Sequence, residues 1–161
     1  MINPTFHFQM PGDMGVFQTV SAMRSLVNKS FWHPWIRERA ALLVGTCRRD
    51  RECENQVLSA WIHNVVQYLR DPADLEALHD PITFYEARIR RGQQVWGDCD
   101  DMSLYLASLL KSIGHTPKFR IIGRGNEFTH VHILCEGVSL DPSMEMGNLP
   151  RNPSKAVQVE I

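Results

Sequence analysis

Three short segments carry residues whose types and order suit nucleophilic attack on a carbonyl: Gly97-Asp98-Cys99-Asp100-Asp101-Met102, Thr129-His130-Val131-His132-Ile133 and Leu140-Asp141-Pro142-Ser143. A cysteine at a helix N-terminus meets the positive end of the helix dipole and unpaired backbone N–H groups, which favour thiolate and can cradle an oxyanion. Asp98, Asp100 and Asp101 surround Cys99 with negative charge, which raises a thiol pKa unless the carboxylates cap the helix or turn away. Cys99 therefore needs a cationic partner. An imidazole on a neighbouring strand supplies one, and a carboxylate behind it fixes the tautomer. In chain order Cys99, His130 and Asp141 provide these three parts.

The elements that must position them follow from periodicity. Asp100 or Asp101 precedes Met102, Leu106, Leu109, Leu110 and Ile113, spaced as one helix face, with Gly114 placed to end the helix. Cys99 then sits at its N-terminus. From Thr129 to Cys135 the pattern alternates, with Val131, Ile133 and Cys135 on one face and His130, His132 and Leu134 on the other. The Glu136-Gly137 step predicts a two-residue hairpin loop that pairs Cys135 with Val138, Leu134 with Ser139, Ile133 with Leu140 and His132 with Asp141. His132 then stands opposite Asp141 and His130 on the diagonal, still within reach. A preceding strand places Phe119 and Ile121 on one face and Arg120 and Ile122 on the other.

Upstream the chain reads as helical. Val16, Val20, Met23 and Val27 predict a helix over 16–28, and Pro34 opens a second through Ile36, Ala40 and Leu43. Asp50 caps a third, whose inward stripe is read as Val57, Trp61, Val65 and Tyr68 or Leu69, ended by Asp71-Pro72. From Asp71 to Gln94 the periodicity is poor; Pro72 and Pro81 suggest loops around a short helical turn near Asp74 to His79.

Composition limits the function classes. In 161 residues, 17 Lys plus Arg oppose 18 Asp plus Glu, so nothing electrostatic calls for nucleic acid or a polybasic membrane patch. An apolar fraction of 43% and a charged fraction of 22% predict one globular domain over 1–161, with a helical front over 1–70 and a catalytic core over 95–145. No run reaches the roughly 20 apolar residues of a membrane span, and Met1 to Gly15 lacks a secretory pattern. Cys47, Cys53, Cys99 and Cys135 form no CxxC pair, so reduced thiols in a cytoplasmic setting are the simpler expectation, with a Cys47–Cys53 bridge as the alternative. Cys47, Cys53 and Cys135 are read as packing residues.

The three motifs resemble the transglutaminase-like core of the papain-like thiol-enzyme superfamily. A GDCDD helix, a Gly-His turn, a His-bearing strand and a strand ending in LDPS are most similar in order to small versions encoded by tailed phages and prophages. Tyr68-Leu69-Arg70-Asp71-Pro72, Glu76-Ala77-Leu78-His79-Asp80-Pro81 and the segment from Thr19 to Val27 resemble their lead-in, so the resemblance spans nearly the whole chain. It implies an α+β fold, with Cys99 as nucleophile, His130 as general base and acid, and Asp141 as its orienting partner. It also implies a thioester pathway on a peptide or protein amide, resolved by water or an amine, with no cofactor. Alignment with the family favours His130 over His132, which is kept as the alternative base. Gln94 and Trp96 are candidate oxyanion or wall residues, because such enzymes often place a Gln upstream; the lead-in from Phe84 to Trp96 is longer and more basic than the family's Gly-rich one. The phage likeness implies synthesis in a host cytoplasm.

Other readings of the same residues stand beside this one. A particle component of the tail or baseplate, docked to other phage structural proteins, would keep the fold with little turnover. Cys99, His130, His132 and Asp141 are also acceptable zinc ligands, a lesser reading; the favoured one holds no metal. His7, His33, His63, His79 and His115 are expected at the surface or as caps, the Arg88, Arg90, Arg91 cluster as a solvated face, and Trp32, Trp35 and Trp61 as core or staple residues.

Overall fold

A computed structural model describes residues 6–8, 12–72, 76–144 and 153–161. Its centre is α5 (Cys99–Ser112), where Leu104, Tyr105, Leu106, Ala107, Leu109 and Leu110 are all fully buried. A helix apolar on every side has to be enclosed, and α5 is: α1 (Gly12–Ser30), α2 (Pro34–Leu43) and α3 (Arg51–Val65) pack on it from one side. On the other lies an antiparallel sheet of β5 (Pro117–Arg124), β6 (Glu127–Cys135), β7 (Val138–Leu140) and β8 (Lys155–Glu160), in the order β7-β6-β5-β8. The result is an α+β architecture. Phe119, Ile121, Val131, Ile133, Cys135 and Leu140 join the α5 side chains in the core, as the predicted alternation requires.

The helices begin where the expected caps are. Asp50 accepts from Glu52 N and Cys53 N at the start of α3, and His33 accepts from Trp35 N at the start of α2, with Pro34 in the first turn. The cap of α5 differs from the expectation of Asp100 or Asp101: Asp98 accepts from Asp100 N, and those two carboxylates lie in the first turn.

The hairpin has the predicted register, Cys135 opposite Val138, Leu134 opposite Ser139 and Ile133 opposite Leu140. Its turn residues Glu136 and Gly137 both have positive φ, 51° and 84°, the pattern of a type I′ turn. The ladder stops there, so Asp141 leaves the strand rather than pairing with His132.

Several expectations are corrected. The inward residues of α3 are Asn55, Leu58, Ser59 and Ile62, while Tyr68 and Leu69 are exposed; Val66–Tyr68 forms β2, parallel to β4 (Val95–Gly97). No helical turn occupies 76–78. Glu76–Leu78 forms β3, antiparallel to β1 (Phe6–Phe8), and Pro81–Tyr85 forms α4, which continues as a π-helical turn over Glu86–Arg90. Residues 73–75 lie outside the described residues. Trp32 is 67% exposed and not a core residue, whereas Trp61 stacks on Tyr85 with ring centroids 6.0 Å apart. Arg90 lies over the Trp35 ring and Arg91 pairs with Glu86, so this arginine face is partly engaged.

Cys47 and Cys53 are joined as a disulfide, their Cα atoms 5.5 Å apart, which overturns their reading as separate packing thiols. The turn before Asp50 folds the chain back so that the two meet. Cys99 and Cys135 are free thiols. No described helix is long and apolar enough to cross a membrane.

Candidate active site

Cys99 opens α5 immediately after β4 and the Asp98 cap. Close packing fixes that junction: a Cβ on Gly97 would lie 2.7 Å from the Asp101 Cβ, so the residue before the cap has to be glycine. Asp101 is held in turn by His79, which donates its backbone N–H to Oδ1 at 2.9 Å and sets its ring Nδ1 2.7 Å from Oδ2. Burial acts to lower the His79 pKa, but the Asp101 carboxylate outweighs it and the net shift is upward. His79 is therefore a structural partner of the motif rather than a surface residue.

One turn into the helix, Ser103 Oγ donates to the Val131 carbonyl at 3.2 Å, tying α5 to β6 beside His130. The Cys99 sulfur also lies near the Val131 N–H, which acts in favour of thiolate. Three stronger influences oppose it. Burial, then the Asp100 and Asp98 carboxylates, push the Cys99 thiol well above its ordinary value. The thiol itself donates to Asp100 Oδ1 at 3.5 Å. These influences disfavour thiolate at the half-buried Cys99 and work against the helix dipole there.

His130 Nε2 is hydrogen-bonded to Asp141 Oδ2 across the end of the hairpin, which leaves Nδ1 for a second partner. The diagonal histidine, not the one in register, has the contact, because Asp141 swings out where β7 ends. Ser143 clamps the other carboxylate oxygen, its Oγ donating to Oδ1 at 2.6 Å and its N–H at 3.0 Å. His63 on α3 places Nδ1 3.0 Å from the Pro142 carbonyl, pinning the same segment from outside. Burial acts to raise the Asp141 pKa, but His130 and Ser143 outweigh it and the carboxyl stays below its usual value. Sequence reasoning assigned no role to Ser143 or His63; the LDPS motif contained the first, while the second depends on a fold contact.

His132 has a different environment. It is 2% exposed, and neither ring nitrogen has a hydrogen-bond partner among the described residues. Burial lowers its pKa to about 4, more than the nearby Asp141 charge can offset, so the ring is neutral. The His130 and His132 rings share one strand face, with centroids 5.9 Å apart. Ligand atoms of His130, His132 and Asp141 lie within 4.8 Å of one another, whereas Cys99 groups with Asp98 and Asp100. Of the upstream candidates, Gln94 donates its amide to the Val95 carbonyl at 3.2 Å, and Trp96 is a 37% exposed side chain on β4.

Comparison supports the fold alone: an α+β structure resembling that of a candidate protease. Specifically, the chain is similar to a solved structure of a candidate protease from Parabacteroides distasonis ATCC 8503, with a TM-score of 0.56 and 12% identity. The match covers 89% of this chain and 30% of the other, so the chain spans about a third of that protein's length. No family model and no curated protein matches the sequence.

Proposed function

We propose that this chain is a transglutaminase-like cysteine hydrolase or acyltransferase that cleaves a peptide or protein amide through a Cys99 thioester. The observation that carries the reading is the His130–Asp141 hydrogen bond beside the strand residue that α5 contacts. With thiolate disfavoured at Cys99, His130 Nδ1 acts as a general base during attack. The thiol proton passes to Nδ1 as sulfur bonds to the carbonyl carbon. N–H groups at the start of α5 stabilise the oxyanion. His130 then returns the proton to the leaving amine, and Asp141 holds the imidazolium in place. Water or a second amine resolves the thioester. The motif resemblance supports a phage or prophage setting and a peptide or protein amide as substrate.

Acylation by an activated ester, with the released alcohol followed in a burst, tests the reading without the natural substrate. His130→Ala is expected to slow acylation of Cys99 by about 10²-fold or more, while His132→Ala leaves it near the parent rate. An unchanged burst in His130→Ala overturns the assignment of the base, and a burst that survives Cys99→Ala overturns the mechanism.

A further inference from the structure

The second free thiol belongs to a separate cluster on the far side of the hairpin. Cys135 is fully buried at the end of β6, and His115, 3% exposed, lies in the loop that leads into β5. His115 Nδ1 stands 2.9 Å from Glu136 Oε2 and 3.7 Å from Cys135 Sγ, and that sulfur is 3.6 Å from the same Glu136 oxygen. A tetrahedral zinc with one nitrogen, one sulfur and one oxygen ligand sets its ligand atoms about 3.3–3.6 Å apart. The observed triangle is close to one face of such a tetrahedron. We infer that His115 Nδ1, Cys135 Sγ and Glu136 Oε2 form a binding site for a zinc-class divalent cation, with solvent as fourth ligand.

The surroundings have the form that metal ligands require. His115 Nε2 lies 2.7 Å from Glu54 Oε2, so the ring can donate there and turn the Nδ1 lone pair toward the sulfur and Glu136. Arg51 bonds the outer Glu136 oxygen and so orients the carboxylate. Glu136 also adopts a left-handed conformation, φ 51°, at a turn position where Asn, Asp or Gly is the usual residue. The donor set mixes a soft thiolate with imidazole and carboxylate, which suits zinc over calcium or magnesium. On binding, the metal takes the place of the Cys135 thiol proton, which leaves to solvent. Bound there, the cation would fasten the start of α3, the lead into β5 and the β6–β7 turn at one point.

Cobalt(II) titration of the protein with its disulfide intact tests the site. One equivalent should produce a thiolate-to-cobalt charge-transfer band with the visible bands of a tetrahedral centre, and zinc should bleach both. The charge-transfer band should vanish in Cys135→Ser and persist in Cys99→Ser. Glu136→Gln removes the charged oxygen ligand and Glu54→Gln the outer support; each should weaken cobalt binding by about 10- to 100-fold with the fold unchanged by circular dichroism. A folded parent protein that develops no charge-transfer band overturns the site, leaving His115 as a clamp between carboxylates. A band that persists in Cys135→Ser and is lost in Cys99→Ser overturns it in favour of metal at the other thiol.

Discussion

Both free thiols have a carboxylate beside them, but among the described residues only Cys135 has an imidazole against its sulfur. At Cys99, the nearest charged groups are carboxylates on its own helix, and the imidazole of His130 is bonded to Asp141 from another element. At Cys135, the imidazole of His115 lies directly between the thiol, Glu136 and Glu54, so one ring joins three segments of the chain. Burial pushes both thiols up, Cys135 to about 12 with help from Glu136. What separates them is freedom. Cys99 is half-buried at a helix end with backbone donors around it, whereas Cys135 is enclosed in the core. A thiol, an imidazole and a carboxylate make a reactive site only when the imidazole keeps one nitrogen for the thiol's proton and the sulfur has room for an electrophile.

The comparison breaks most sharply at the nucleophile. Cys99→Ala should abolish acylation, and His130→Ala should cost about 10²–10⁴-fold; Cys135→Ala should leave acylation of the folded protein near the parent rate. A burst lost in Cys135→Ala and retained in Cys99→Ala would exchange the roles of the two clusters.

Acid stability separates the two histidines of β6. His132 is buried with a folded-state pKa of about 4 against an ordinary 6.5, so between those values the unfolded chain binds the proton and the native state does not. Stability from this group is complete above pH 6.5 and falls as pH drops toward 4, by about 3 kcal/mol. In His132→Phe that slope between pH 6.5 and 4 should flatten in urea melts, because no proton is taken up on unfolding, while Cys99 acylation persists. An unchanged slope would mean that the ring is solvated and able to serve as the alternative base.

A smaller loss is expected from the second cluster. His115→Gln removes the ring that holds Glu54 and Glu136. Those carboxylates retain some solvent contact, so the cost is set at about 2 kcal/mol, below that of breaking a fully buried pair. Chemical denaturation at pH 7 measures it, and a loss under about 0.5 kcal/mol would show that the clamp contributes little.

What was readable beforehand divides along sequence distance. The helix of Cys99 and the hairpin register followed from local signals: apolar spacing from Met102 to Ile113, and alternation up to Glu136-Gly137. The stripe of α3 was misplaced because Asn55 and Ser59 are polar residues facing inward, which hides the true apolar face of Leu58 and Ile62. β3 was missed because it pairs with β1, nearly 70 residues earlier in the chain. Among site residues, Cys99, His130 and Asp141 stood out through their motifs, and the diagonal His130–Asp141 contact depended on where the ladder stops. His115 is expected at the surface or as a cap, whereas it is buried against Glu54, 61 residues away on another element. No local pattern announces such a pairing.

The finest distinction between the two thiols is the carboxylate that Cys99 faces on its own helix. Asp100 accepts from the thiol at 3.5 Å and, after burial, is the largest influence raising its pKa. Asp98 also opposes thiolate, but it caps α5, so changing it would disturb the helix start as well as the charge. Asp100→Asn removes the nearer charge and leaves that cap residue in place. Its effect on the thiol runs one way: with less negative charge nearby, the folded-state pKa falls and more thiolate exists at any pH below it. Alkylation of Cys99 by iodoacetamide at pH 8 should then quicken, with Cys135 labelling unchanged. Turnover should shift its pH profile toward acid, because less of the thiol's proton affinity has to be overcome by His130. If Asp100→Asn slows alkylation instead, Asp100 is assisting proton removal from the thiol, and the base of the Cys99 cluster lies on its own helix rather than across the sheet.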